Sequence, residues 1–210
     1  MDIFFPPVCG ICGKLDKNSL CNKCKIRVEK NALNKIEDYR DTSSFFDEHI
    51  YLFRYSGEIR DTILNYKFNE KSYIYKTFIG FLKNNKNICT QIKKYDIIMP
   101  IPISKKRLNA RGYNQSALIA RDLAKILNIE FSKNVLIKIK DNKPQSELGQ
   151  EERTNNVKNV YKINNIKKIN KKKILLIDDI FTTGSTSNEC AKVLIENNAK
   201  SVGIFTIAKD

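Results

Sequence analysis

Asp178 and Asp179 stand side by side after a wholly apolar run, residues 174–177, and Thr182, Thr183, Gly184, Ser185 and Thr186 follow closely behind them. Such a run suits a strand buried on both faces, and ligands of open α/β sheets sit beyond the carboxyl ends of strands. The two acids are therefore placed to accept hydrogen bonds from vicinal hydroxyls. Gly184 permits a tight turn, while the neighbouring hydroxyls and the first amides of the following helix can surround a phosphate. A diol acceptor beside a phosphate cradle describes a ribose 5-phosphate. Taken as fragments, the same residues make a solvated turn and a helix cap. Their order, between an apolar strand and a patterned helix, favours the binding reading. Neither a Walker A lysine motif nor a GxGxxG sequence occurs, which disfavours ATP hydrolysis and dinucleotide binding.

Four of the six cysteines form a second constellation. Cys9 and Cys12, and again Cys21 and Cys24, are each separated by two residues, with eight residues between the pairs. Two such knuckles close a tetrahedron of thiolates around Zn²⁺, and with all four positions taken by sulfur the metal is structural. An iron–sulfur cluster is the alternative metal centre, and disulfides are disfavoured in a reduced compartment. Cys89, Cys190 and the single histidine, His49, have no catalytic partners in the sequence and read as structural.

These residues need a scaffold. Residues 1–35 are expected to form a four-cysteine zinc module that includes a short helix over 26–34, with a linker over 36–47 and an α/β domain over 48–210. Within that domain the sequence predicts a strand over 49–55, helices over 59–66 and 71–83, and a strand over 97–103 whose Pro100 and Pro102 exclude a central ladder position. A basic loop over 105–111 leads to a helix capped by Asn114 and Ser116. A strand over 135–139, a polar stretch over 140–159, the strand at 174–177, a helix over 185–198 and a strand over 201–208 complete the chain. Strands alternating with helices imply a mostly parallel sheet flanked by helices.

The 210 residues, 41% hydrophobic, suffice for one core and a small appendage. No apolar run approaches a membrane span, and residues 1–7 lack a basic start and a long apolar stretch, so a cytoplasmic protein is expected. The formal charge of +15 suits a polyanionic partner, although abundant Lys, Asn and Ile also follow from AT-rich coding.

The block from Ile174 to Thr186 resembles the phosphoribosyl-pyrophosphate (PRPP) motif of type I phosphoribosyltransferases. Further residues narrow the resemblance: Pro100 and Pro102, Lys105 to Arg107, Arg111 to Gln115, Pro144 and Gln145, Arg153 with Asn156, and Ala208. Together with the cysteine knuckle, this pattern resembles the ComF/GntX family of competence-associated, phosphoribosyltransferase-like proteins. The resemblance implies that Asp178 and Asp179, the candidate catalytic pair, hold the ribose hydroxyls, and that Thr182, Thr183, Gly184, Ser185 and Thr186 hold the 5-phosphate. It also places pyrophosphate by the loop after Pro100, where Lys105, Arg107 and Arg111 supply positive charge alongside Mg²⁺. PRPP, single-stranded DNA and proteins of the DNA-uptake machinery are the partners it implies. A true phosphoribosyltransferase of nucleotide metabolism and a PRPP-sensing regulator are the alternatives.

Overall fold

A computed structural model describes residues 8–69, 71–140 and 160–210. Pro144, Gln145, Arg153 and Asn156 lie outside the described residues. The elements run α1 (Asn22–Lys30), β1 (Ala32–Asp38), β2 (Glu48–Arg54), α2 (Gly57–Phe68), α3 (Tyr75–Lys83), α4 (Lys86–Ile92), β3 (Ile97–Pro100), α5 (Lys105–Arg111) and α6 (Gln115–Leu127). They continue with β4 (Glu130–Phe131), β5 (Leu136–Lys138), β6 (Tyr161–Ile163), β7 (Lys173–Phe181), α7 (Ser185–Glu196) and β8 (Ser201–Lys209).

The main sheet has the order β1-β2-β8-β7-β3-β4, parallel throughout except for β1, which runs antiparallel to β2 at one edge. Side chains alternate along a strand, and β7 shows why its apolar run is continuous. Leu175 and Ile177 belong to one buried cluster with Ile63, Phe78 and Leu123, from α2, α3 and α6. Ile174 and Leu176 belong to a second, with Cys190 and Leu194 of α7 and Tyr161 and Ile163 of β6. A strand covered on both sides needs apolar residues at both parities.

Connections from β3 and β7 leave in opposite directions. The chain passes from β3 through α6 to β4 on one side, and from β7 through α7 to β8 on the other. A topological switch point therefore lies between β3 and β7, where α/β sheets open a crevice. Pairing between these strands ends at Pro100 with Ile177, whereas β7 keeps its register with β8 through Asp178 and on to Phe181. The acids thus lie within a strand, past the end of its neighbour, and not after the strand as the apolar run alone suggests.

Four other segments differ from expectation. The expected linker over 36–47 begins inside β1, an edge strand that exposes Leu33 and Ile36 as well as Lys35 and Asp38 and whose register shifts between Ala32 and Lys35. The expected helix over 26–34 ends at Lys30 for the same reason. The basic loop is helix α5, because the Ser104 hydroxyl accepts a hydrogen bond from the Arg107 N–H and Gly112 closes the end in the left-handed conformation, φ +74°. Finally, β5 leaves the main sheet and pairs antiparallel with β6 as a two-stranded ribbon.

The cysteine segment folds onto α3. Cys9, Leu20, Cys24 and Val28 share the buried cluster of Phe78 and Leu82. Thr77 Oγ1 donates to the Ser19 carbonyl at 2.6 Å, and Ser19 Oγ donates to the Lys76 carbonyl at 3.0 Å.

Candidate functional site

At the switch point a cavity of about 640 Å³ opens, lined by both acids and by residues from the loop after β3, α2, α5, α6, the β5–β6 ribbon and the loop after β7. Because neighbours in a strand face opposite ways, the acids acquire different partners. Asp179 forms an ion pair with Lys67 at the end of α2, Nζ to Oδ1 2.9 Å. Asp178 accepts hydrogen bonds from Ser116 Oγ at 3.1 Å and from the Asp179 N–H at 2.9 Å. Burial and the neighbouring Asp179 charge push the Asp178 carboxyl up to about 7, against the pull of Lys67 and of its hydrogen bonds.

The threonine-rich loop straddles two cavities. Thr182 and Thr186 line the cavity of the acids. Thr183, Gly184 and Ser185 line a smaller one of about 390 Å³, together with Tyr39, Phe45, Phe46 and Phe181. Gly184 has φ +74°, and a Cβ there would meet the Phe181 ring at 2.5 Å, so the turn is closed to any side chain. Thr183 and Ser185 are tied to each other, Oγ1 to Oγ 2.9 Å, and the Ser185 N–H donates to Thr183 Oγ1 at 3.4 Å where α7 begins.

Among the expected pyrophosphate residues, Arg107 and Arg111 line the cavity, while Lys105 is exposed on α5 and outside its lining. Capping fixes the two arginines: α5 begins at Ser104 and ends at Gly112, and Asn114 then caps α6 by accepting from the Ser116 and Ala117 amides. The Asn114 amide also donates to the Ile101 carbonyl at 3.0 Å, tying this turn to the end of β3. Arg111 lies over the Phe68 ring, 5.1 Å to its centroid, and donates to Gln115 Oε1 at 3.3 Å. Burial lowers its pKa from the ordinary arginine value, against the attraction of Asp179.

Gln115 is almost wholly buried, and its Nε2 has no partner among the described residues. A buried donor left without an acceptor is unfavourable; here it borders a polar cavity that a ligand oxygen could enter. Lys67, Gln115, Ser116, Lys138 and Tyr161 are lining residues that the sequence reading missed. Lys67 reads as a lysine favouring a helix C-terminus, and Lys138 as the polar face of a short strand. Gln115 is the last residue of the Arg-Gly-Tyr-Asn-Gln run that carries part of the family resemblance.

His49 is structural. It is fully buried, its Nε2 lies 2.8 Å from Thr206 Oγ1, and its ring stacks on Phe181 at 4.1 Å. Burial drives its pKa down to about 3.

The four cysteine sulfurs lie within 4.8 Å of one another, with Cys12 Sγ and Cys21 Sγ 3.9 Å apart. A zinc tetrahedron with Zn–S bonds of about 2.3 Å has edges of about 3.8 Å, so the cluster fits the ion. The first pair is set by a tight turn, Gly13 N–H to Cys9 O 2.8 Å, and the second by the first turn of α1. Arg27 donates to Cys24 Sγ at 3.4 Å and also pairs with Glu58 of α2, linking the cluster to the α/β core. At Cys9, burial is outweighed by backbone N–H groups, which bring the thiol down to about 7.

Comparison with known proteins adds two kinds of finding. A phosphoribosyl transferase domain model matches residues 114–210, which hold the acids, the threonine-rich loop and Gln115. Competence protein F of Haemophilus influenzae is 24% identical over 209 residues, covering 92% of this chain and 91% of that protein. Competence protein ComFC of Streptococcus pneumoniae is 27% identical, covering 96% and 80%. The DNA utilization protein YhgH of Escherichia coli K12 is 27% identical over 120 residues, covering 57% of this chain and 52% of its own length. Among solved structures, a purine phosphoribosyltransferase from Pyrococcus horikoshii matches at a TM-score of 0.39 and 15% identity, over 66% of this chain and 83% of that one. With the domain match and the parallel sheet order, the fold is phosphoribosyltransferase-like.

Proposed function

We propose that this chain, a member of the ComF family of competence-associated, phosphoribosyltransferase-like proteins, is a cytoplasmic competence protein that binds PRPP and single-stranded DNA and assists DNA uptake. The observation that carries the PRPP half is the convergence of Asp178, Asp179, Thr182, Thr186, Arg107 and Arg111 on one cavity. Acids suited to a diol, hydroxyls suited to a phosphate and cations suited to a pyrophosphate border the same space.

In this reading the ribose hydroxyls donate to the Asp178 and Asp179 carboxylates. Thr182, Thr186 and the first amides of α7 hold the 5-phosphate. Arg107 and Arg111 face the pyrophosphate, and Gln115 Nε2 donates to a ligand oxygen. Mg²⁺, when bound, neutralises pyrophosphate charge; it commonly reaches such sites through substrate phosphates and one or two carboxylates, which these acids can supply. Zn²⁺ held by Cys9, Cys12, Cys21 and Cys24 fixes the N-terminal segment against α3.

The net charge of +15 supports a DNA-binding role. The relatives named for competence and for DNA utilization support the same direction. A transferase reading differs in one step: an acceptor nucleophile attacks C1 of the ribose as pyrophosphate departs, with Arg107 and Arg111 stabilising the leaving group.

Two measurements on one protein test the proposal. PRPP with Mg²⁺ is expected to raise the melting temperature of the wild type and to lose most of that effect in an Arg107→Ala/Arg111→Ala variant. Fluorescence anisotropy with a labelled single strand is expected to give an affinity that falls with salt, with a log–log slope of about −0.7 per phosphate contacted. No PRPP shift in the folded wild type would remove the first half; DNA affinity independent of salt would remove the second.

A further inference from the structure

We infer that Lys67 is the residue that selects for pyrophosphate in this cavity, exchanging Asp179 for the pyrophosphate when the ribose hydroxyls engage the acid. The inference rests on the PRPP reading above and adds to it a residue that lies outside the acid block, the threonine loop and the arginine helix.

Its basis is the 2.9 Å pair between Lys67 Nζ and Asp179 Oδ1, in which the side chains are only 19% and 11% exposed. A pair this sheltered keeps most of its attraction, and neither partner is readily released to water. The backbone around Lys67 is fixed. The preceding residue, Tyr66, is fully buried and donates its hydroxyl to the Gln115 carbonyl at 2.8 Å, while its own carbonyl accepts from the Tyr113 hydroxyl at 2.6 Å. The following residue, Phe68, lies under the Arg111 guanidinium. Only the flexible stem of Lys67 is left to move, and Arg107 and Arg111 line the same cavity.

Binding of a diol to Asp179 competes with this pair, because the hydroxyls donate to oxygens that the ammonium also uses. A sheltered ammonium that loses its carboxylate needs another anion. PRPP brings one, a pyrophosphate on C1, into the region of the two arginines. Ribose 5-phosphate brings none at that carbon, so for it the Lys67–Asp179 pair is a competitor without compensation. A ligand can shift an arrangement only through differential contacts, and here the two ligands differ at one group. Lys67 therefore favours the pyrophosphate-bearing ligand and opposes its stripped counterpart.

The test is calorimetric titration of PRPP and of ribose 5-phosphate, each with Mg²⁺, into the wild type, Lys67→Met and Lys67→Arg. Melting temperatures establish that each variant is folded. Lys67→Met is expected to weaken PRPP by about ten-fold or more, the effect of losing a charge-assisted contact. Ribose 5-phosphate affinity is expected to stay level or rise, and Lys67→Arg to retain the preference for PRPP. Equal losses for both ligands in a folded Lys67→Met protein would overturn the assignment and leave Lys67 a purely structural partner of Asp179. Unchanged PRPP affinity would overturn it as well. If the wild type binds neither ligand, the PRPP reading itself fails, and this inference fails with it.

Discussion

The Asp178 carboxyl carries the pH signature of the site. Its ordinary value is 3.8, and in the folded chain burial and Asp179 raise it to about 7. The folded state then binds the proton more tightly than the unfolded state, so this group's contribution is fully present below the unfolded value and is lost as pH rises toward 7. The neutral variant Asp178→Asn escapes that loss. Thermal melts of the two proteins should diverge in favour of the variant between pH 4 and pH 8, by on the order of a few degrees; a difference that stays flat with pH would contradict the assignment. At this scale the sequence was legible where the chemistry is contiguous: the acids and the threonine loop are neighbours in the chain. Lys67 was not legible, because a lysine in the last turn of a helix is ordinary, and its partner is far away in sequence. Lys105 shows the converse. Proximity in a basic run suggested a shared task, but helical geometry turns Lys105 outward while Arg107 and Arg111 reach the cavity.

At the scale of elements, the seam between the cysteine knuckle and α3 is tightly constrained. A Cβ on Gly10 would lie 2.3 Å from Thr77 Oγ1 and 3.4 Å from the Ile74 Cα. Gly10→Ala is therefore expected to destabilise the protein by about 1–3 kcal/mol, as overpacking does. Adding Thr77→Ala should recover part of that loss, and melting of the two singles and the double measures the coupling; strictly additive effects would show that the clash is relieved elsewhere. The knuckle was readable from cysteine spacing alone, since four thiols at two regular intervals have few other uses. The edge strand β1 was not, because a half-exposed strand with a register irregularity presents mixed polarity and no clean alternation. Helix α5 was hidden for a related reason: none of its residues is buried, so it has no apolar stripe, and it depends on its caps.

For the whole molecule, the parallel sheet followed from strands alternating with helices, and the double-sided burial of β7 followed from its unbroken apolar run. The position of the ribbon β5–β6 did not, since segments this short have no measurable period, and only pairing in space gives them a place. Its Lys138 and Tyr161 nonetheless complete the wall of the cavity at the switch point. That cavity joins the two halves of the account, since the sheet topology opens it and the sequence block supplies its acids and hydroxyls. Calorimetric titration of PRPP with Mg²⁺ into the wild type and into an Asp178→Asn/Asp179→Asn variant tests this most directly. Saturable binding by the wild type, lost in a variant that remains folded, is the predicted result; a folded wild type that does not bind PRPP, or a double variant that binds it equally well, would contradict the central claim.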